Sequence, residues 1–129
     1  MVQISTPTTV DLTTHAALTG TAHEASSTFV SDSVSTNAAT VDFTAGRLHV
    51  ITLDAACTFT FTPPAVPTGS PCILKIIQDG TGGRIATWPT VEWYLSSEPV
   101  LSTAIGAVDI LQLLWDGTVW YGTLMRSFA

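Results

Sequence analysis

The chain has 129 residues, a formal net charge of −6, and 46% hydrophobic against only 11% charged residues. That length is one domain with room for a sizeable core. Four Lys plus Arg are too few to track a phosphate backbone or to hold an anionic membrane, which excludes nucleic acid and membrane as expected partners.

Ordinary soluble domains carry roughly 25% charged residues. Here Thr and Ser fill the shortage, and β-branched Thr suits a pleated, half-buried strand. Such a neutral surface costs less to desolvate than one of Lys and Glu, which favours assembly. The start, Met1-Val-Gln-Ile-Ser, lacks the basic and apolar regions of a secretory signal. No apolar run approaches the ~18 residues of a membrane span. The expectation is a complete, unprocessed product made in a host cytoplasm.

Residues 1–27 are Thr, Ser and Ala with few large apolar groups, as in Ser5-Thr-Pro-Thr-Thr9. They cannot build a core of their own. Residues 1–38 are read as an extended arm lying on a neighbouring subunit or partner, or else folded back on its own domain. Residues 39–129 are read as the β-sandwich domain. Thr40-Val-Asp-Phe-Thr44 alternates as a strand. Ala45-Gly-Arg47 is a turn, and Leu48 to Leu53 is a second strand. Cys57-Thr-Phe-Thr-Phe-Thr62 alternates strictly, which puts Cys57, Phe59 and Phe61 on one face. With only Asp54-Ala-Ala56 between them, these last two strands read as a hairpin.

Pro63 to Pro71 is a proline-rich loop. Cys72 to Gln78 is a buried strand, and Asp79-Gly-Thr-Gly-Gly83 is a hairpin loop into Arg84–Trp88. Pro89 to Leu101 is irregular, and Ser102 to Val108 has room for a helical turn. Residues 107–115 and 118–126 are strands joined at Asp116-Gly117, the strongest short-range hairpin signal in the chain. Seven or eight short strands without a convincing helix give an all-β fold, an antiparallel, jelly-roll-like β-sandwich. No repeat of 20–50 residues is visible, which argues against a solenoid. Cys57 and Cys72 read as buried small hydrophobes, with a bridge pinning the intervening loop as the alternative.

Candidate chemistry is sparse. Asp79-Gly-Thr-Gly-Gly-Arg84 lacks the spacing of a phosphate loop. His15, His23 and His49 lack metal-ligand spacing, and no Gly-x-Ser-x-Gly elbow occurs. Hence no metal, cofactor or catalytic residue is assigned, and the chain is not expected to be an enzyme. The carboxylates Asp42, Asp54, Asp79, Glu92, Glu98, Asp109 and Asp116 mostly flank turns. Glu92, beside Trp93-Tyr94, is the best candidate for a paired-carboxylate glycosidase site, against the plainer reading of a solvated loop acid. Trp88, Trp93, Trp115 and Trp120, with Tyr94 and Tyr121, suit a sandwich core, a subunit interface or a sugar-binding face. The candidate glycan or partner contacts are Trp88, Trp93 and Tyr94.

The run Leu74-Lys-Ile-Ile-Gln-Asp-Gly-Thr-Gly-Gly-Arg-Ile-Ala-Thr-Trp-Pro89, then Val91-Glu-Trp93, Pro99-Val-Leu-Ser-Thr and Gly106-Ala-Val-Asp-Ile-Leu, resembles a module of tailed-bacteriophage virion proteins. These include tail-fibre and tail-tip domains and small capsid decoration proteins. The likeness covers roughly residues 40–126 and implies a β-sandwich, a homotrimer and no enzymatic activity. The short chain and polar arm turn the expectation toward a capsid decoration (cement) protein. It would bind the major capsid protein on the head surface and stabilise the capsid. The alternative is a tail-fibre or tail-tip module that binds a receptor or glycan through residues 88–95.

Overall fold

The structure is a computed structural model and describes residues 29–65 and 71–128. The arm up to residue 28, with His15 and His23, and residues 66–70 of the proline-rich loop lie outside the described residues. Among the described residues nine strands follow in order: β1 (Val30–Asp32), β2 (Ala38–Asp42), β3 (Leu48–Leu53), β4 (Cys57–Thr62), β5 (Cys72–Gln78), β6 (Ala86–Thr87), β7 (Glu92–Trp93), β8 (Val108–Trp115) and β9 (Trp120–Phe128). Residues 30–32, assigned to the arm from sequence, form β1 and pair with β3.

The all-β reading holds, but the strands do not form an antiparallel, jelly-roll-like sandwich. One sheet has six strands in the order β1-β3-β5-β8-β9-β7, and the other has three in the order β2-β4-β6. The chain alternates between them, so β1, β3 and β5 stack parallel in one sheet and β2, β4 and β6 stack parallel in the other. Parallel neighbours need a long crossover. Here the crossover is a strand of the opposite sheet.

The result is a short stack of coils of the solenoid kind that the missing sequence repeat argued against. The repeat is hidden because the step between stacked partners varies. It is 19 residues from Val30 to His49 and 25 from Leu48 to Ile73. In the other sheet it is 20 from Ala38 to Thr58 and 29 from Cys57 to Ala86.

Two expected hairpins are therefore arches. β3 and β4 lie in different sheets, as do β5 and β6. In a hairpin, Ile51 and Leu53 would share one face with Phe59 and Phe61 and would need another layer to cover them. Folded as an arch, the two apolar faces cover each other. The Asp116-Gly117 hairpin forms as expected, with β8 and β9 antiparallel and Trp115 opposite Trp120. Asp116 Oδ1 accepts the backbone N–H of Thr118 at 2.8 Å and of Val119 at 2.7 Å. Residues 102–108 contain a hydrogen-bonded turn from Ala104 to Ala107 rather than a helix.

Alternation decides what is buried. The large sheet turns Ile51, Leu53, Cys72, Leu74, Ile76, Leu111 and Leu113 inward; the small sheet supplies Ala39, Val41, Cys57, Phe59 and Phe61. Each large apolar side chain so buried contributes about 1.5–3 kcal/mol. Both cysteines are free and buried.

The buried polar groups are all satisfied among the described residues. His49 bonds Asp32 through Nδ1 at 2.6 Å and the Gly46 carbonyl through Nε2 at 3.0 Å. Gln78 donates from Nε2 to the Arg84 and Ser102 carbonyls and accepts the Arg84 N–H. That amide fastens the glycine-rich loop to the 102–106 segment. A Cβ at Gly82, where φ is +70°, would lie 2.7 Å from the Thr103 carbonyl oxygen, so only glycine fits this approach. Asp79 closes the loop by pairing with the Arg84 guanidinium at 2.7 Å, which holds its carboxyl down at about 2.

Candidate functional site

The three sequence candidates are neighbours that differ in exposure. Trp88 is 8% exposed, stacks on Phe59 at 5.2 Å and donates its indole N–H to the Pro99 carbonyl at 2.8 Å. It is a core residue, not a surface contact. Trp93 lies edge-on to Trp88 at 5.5 Å and packs against the core from the sheet edge. Tyr94, one residue on, is 70% exposed. The aromatic run 88–94 thus changes from core to surface within a few residues.

Backbone placement explains the change. β7 is a two-residue edge strand, parallel to β9, with Glu92 opposite Tyr121 and Trp93 opposite Gly122. Gly122 has no side chain to obstruct Trp93; a Cβ there would lie 2.7 Å from the indole. With Trp93 seated, the chain leaves the edge in a 3-10 turn, Tyr94–Ser96. Leu95 and Ser96 both adopt left-handed φ, +57° and +53°. That region is uncommon for residues other than glycine and costs of order 1 kcal/mol or more apiece. The strained turn displays Tyr94 and the 79%-exposed Leu95.

Two grooves flank this corner. The first, about 580 Å³, is walled by Trp93, Tyr94, Tyr121 and Leu114, with Glu92 and Gln112 as polar groups. The second, about 340 Å³, holds Ser97, Glu98, Val100 and Arg126. Trp93, Tyr94, Gly122 and Thr123 line both. Glu92 and Glu98 therefore serve different grooves instead of facing each other across one cleft, the arrangement a paired-carboxylate site requires.

Sequence reading missed Gln112, Thr123 and Arg126, and named Tyr121 among the aromatics without joining it to Trp93 and Tyr94. The hairpin brings them to the corner, with Gln112 opposite Thr123 and Leu114 opposite Tyr121. The available signal was the alternation along β8 and β9, which turns Gln112, Leu114 and Tyr121 away from the core. Among the described residues, no group of three or more His, Cys, Asp and Glu could hold a metal ion.

These features define a two-sheet β-module that displays an aromatic corner on a sparsely charged frame. Residues 39–120 match the family described as "Putative phage tail fibre C-terminal domain", and the chain belongs to that family. It is a tailed-phage virion structural protein. The matched span contains the runs Leu74–Pro89, Val91–Trp93, Pro99–Thr103 and Gly106–Leu111 that carried the resemblance. Neither the curated proteins nor the solved structures supply a match. The family's description speaks of the tail fibre. It lends nothing to the capsid-decoration expectation, to the major capsid protein as partner or to the head surface as location.

Proposed function

We propose that this chain is the host-contacting module of a phage tail fibre, that it acts without catalysis, and that the Trp93–Tyr94 corner makes the contact. The family match supports the tail; the strained turn that holds Tyr94 and Leu95 in solvent carries the assignment of the contact. An exposed aromatic and an exposed leucine held at a conformational cost are what a binding surface needs, and a core gains nothing from them.

Homotrimerisation, implied by the resemblance, fits the other half of the large sheet. There Leu48, Val50, Ile73 and Ile77 occupy the positions that alternate with the buried residues of β3 and β5. Copies packed through that face would leave the β7 edge free. Sedimentation should then give a trimer, and Ile73→Asp should give a monomer.

The test of function is competition. The purified chain should block adsorption of the phage to its host. Tyr94→Ala with Leu95→Asp should abolish the block without lowering thermal stability. Antibody against the chain should label fibres in virion images. Labelling of heads would refute the tail reading and restore the decoration one.

A further inference from the structure

Resting on the host-contact reading, we infer that the ligand is an uncharged saccharide chain laid across both grooves, with Tyr94 between two subsites. Two features of the corner lead there. Trp93, Tyr94 and Tyr121 offer flat apolar faces of the kind that stack on the C–H face of a pyranose. Beside them stand groups that exchange hydrogen bonds with hydroxyls: Glu92, Gln112 and Thr123 in the first groove, and Ser97 and Glu98 in the second. A sugar chain presents that same combination, apolar faces edged by hydroxyls. A purely apolar partner would use the first groove and leave the second unmatched.

Charge narrows the class. Each groove carries one glutamate, and neither is reached by an ion pair among the described residues. Arg126, in the second groove, is the single cation against them, on a chain whose net charge is −6. A uronate, sialate or phosphate on the ligand would meet the unopposed Glu92 carboxylate in the first groove, while in the second Glu98 offsets Arg126; like charges brought together in an interface disfavour that partner. Hydroxyls, by contrast, donate to carboxylates in charge-assisted bonds. The glutamates therefore select neutral sugars and reject acidic ones.

The test uses the full chain in surface plasmon resonance. Dextran, mannan and galactan serve as neutral probes, and polygalacturonate and hyaluronate as acidic ones. In parallel, adsorption of the chain to host cells is measured before and after periodate oxidation of surface vicinal diols. At least one neutral polymer should bind, neither acidic one should, and periodate should abolish adsorption. Tyr94→Ala should weaken neutral binding about tenfold, the loss of one aromatic contact. Glu92→Gln with Glu98→Gln should admit polygalacturonate.

Failure of all three neutral polymers overturns the proposal, as does acidic binding equal to neutral. Adsorption that survives periodate also overturns it and leaves the host-contact reading standing. No adsorption to untreated cells overturns that underlying reading itself.

Discussion

Gly122→Ala tests how the core supports the displayed corner. The added methyl would lie 2.7 Å from Trp93 Cζ3 and 3.0 Å from methyls of both Leu113 and Val91. None of the three can easily yield. Trp93 is backed by the Trp88 ring at 5.5 Å, and Leu113 is buried in β8. Relief requires β7 to move off β9, and Glu92 and Tyr94 move with it. Overpacking of this kind costs about 1–3 kcal/mol. At about 3–6 °C per kcal/mol for a chain of this size, a cost of about 2 kcal/mol lowers Tm by roughly 6–12 °C. Thermal unfolding followed by tryptophan fluorescence and circular dichroism measures this. Trp93→Leu removes the nearest clash. The double variant should therefore recover about 1 kcal/mol relative to the sum of the single changes. A Gly122→Ala protein as stable as the parent, or strictly additive effects, would refute the packing account.

Other changes probe the frame. Gln78→Leu leaves two carbonyls and one N–H without their partner and should cost about 3 kcal/mol by urea unfolding. Gln78→Glu should cost more, since a carboxylate would face the two carbonyls that the amide now serves. Trp88→Ala should destabilise by about 3–5 kcal/mol, whereas Tyr94→Ala should leave stability within about 0.5 kcal/mol; equal effects would contradict their opposite placement. Asp79 sits at about 2 when folded because Arg84 donates to it, against about 3.9 when unfolded. Its stabilisation is thus present above pH ~4 and lost as pH falls toward ~2. Asp79→Asn should flatten the urea midpoint against pH in that window. Burial pushes the Cys57 thiol up to about 11 and raises that of Cys72 as well. Neither should react with a thiol reagent until the protein unfolds.

The site was only partly legible in the sequence. Trp93 and Tyr94 are candidate contacts in the sequence because aromatics stack on sugars, and the structure puts both at one corner of the sheet edge. Trp88 looked the same in sequence, yet Phe59 and the Pro99 carbonyl hold it in the core. Residue type does not distinguish the two cases; position relative to the second sheet does. Gln112 and Thr123 escaped notice, and Tyr121 was not joined to Trp93, because they lie well apart along the chain from it. They reach it through the pairing of β7 with β9 and of β9 with β8.

By itself the sequence determined that this protein is β-structured, that Cys57, Phe59 and Phe61 share one face of their strand, and where the Asp116-Gly117 hairpin turns. Alternation and turn chemistry are local, so they survive in any β-fold. Tertiary structure alone decided that successive strands alternate between sheets and stack in parallel. A period of two is the same whether a strand's neighbour runs parallel or antiparallel, and a three-residue link can close a hairpin or an arch. The choice went to the arch because it lets the Ile51–Leu53 and Phe59–Phe61 faces bury each other. The same packing seats Trp93 over Gly122 and leaves Tyr94 in solvent, and that display no local pattern encodes.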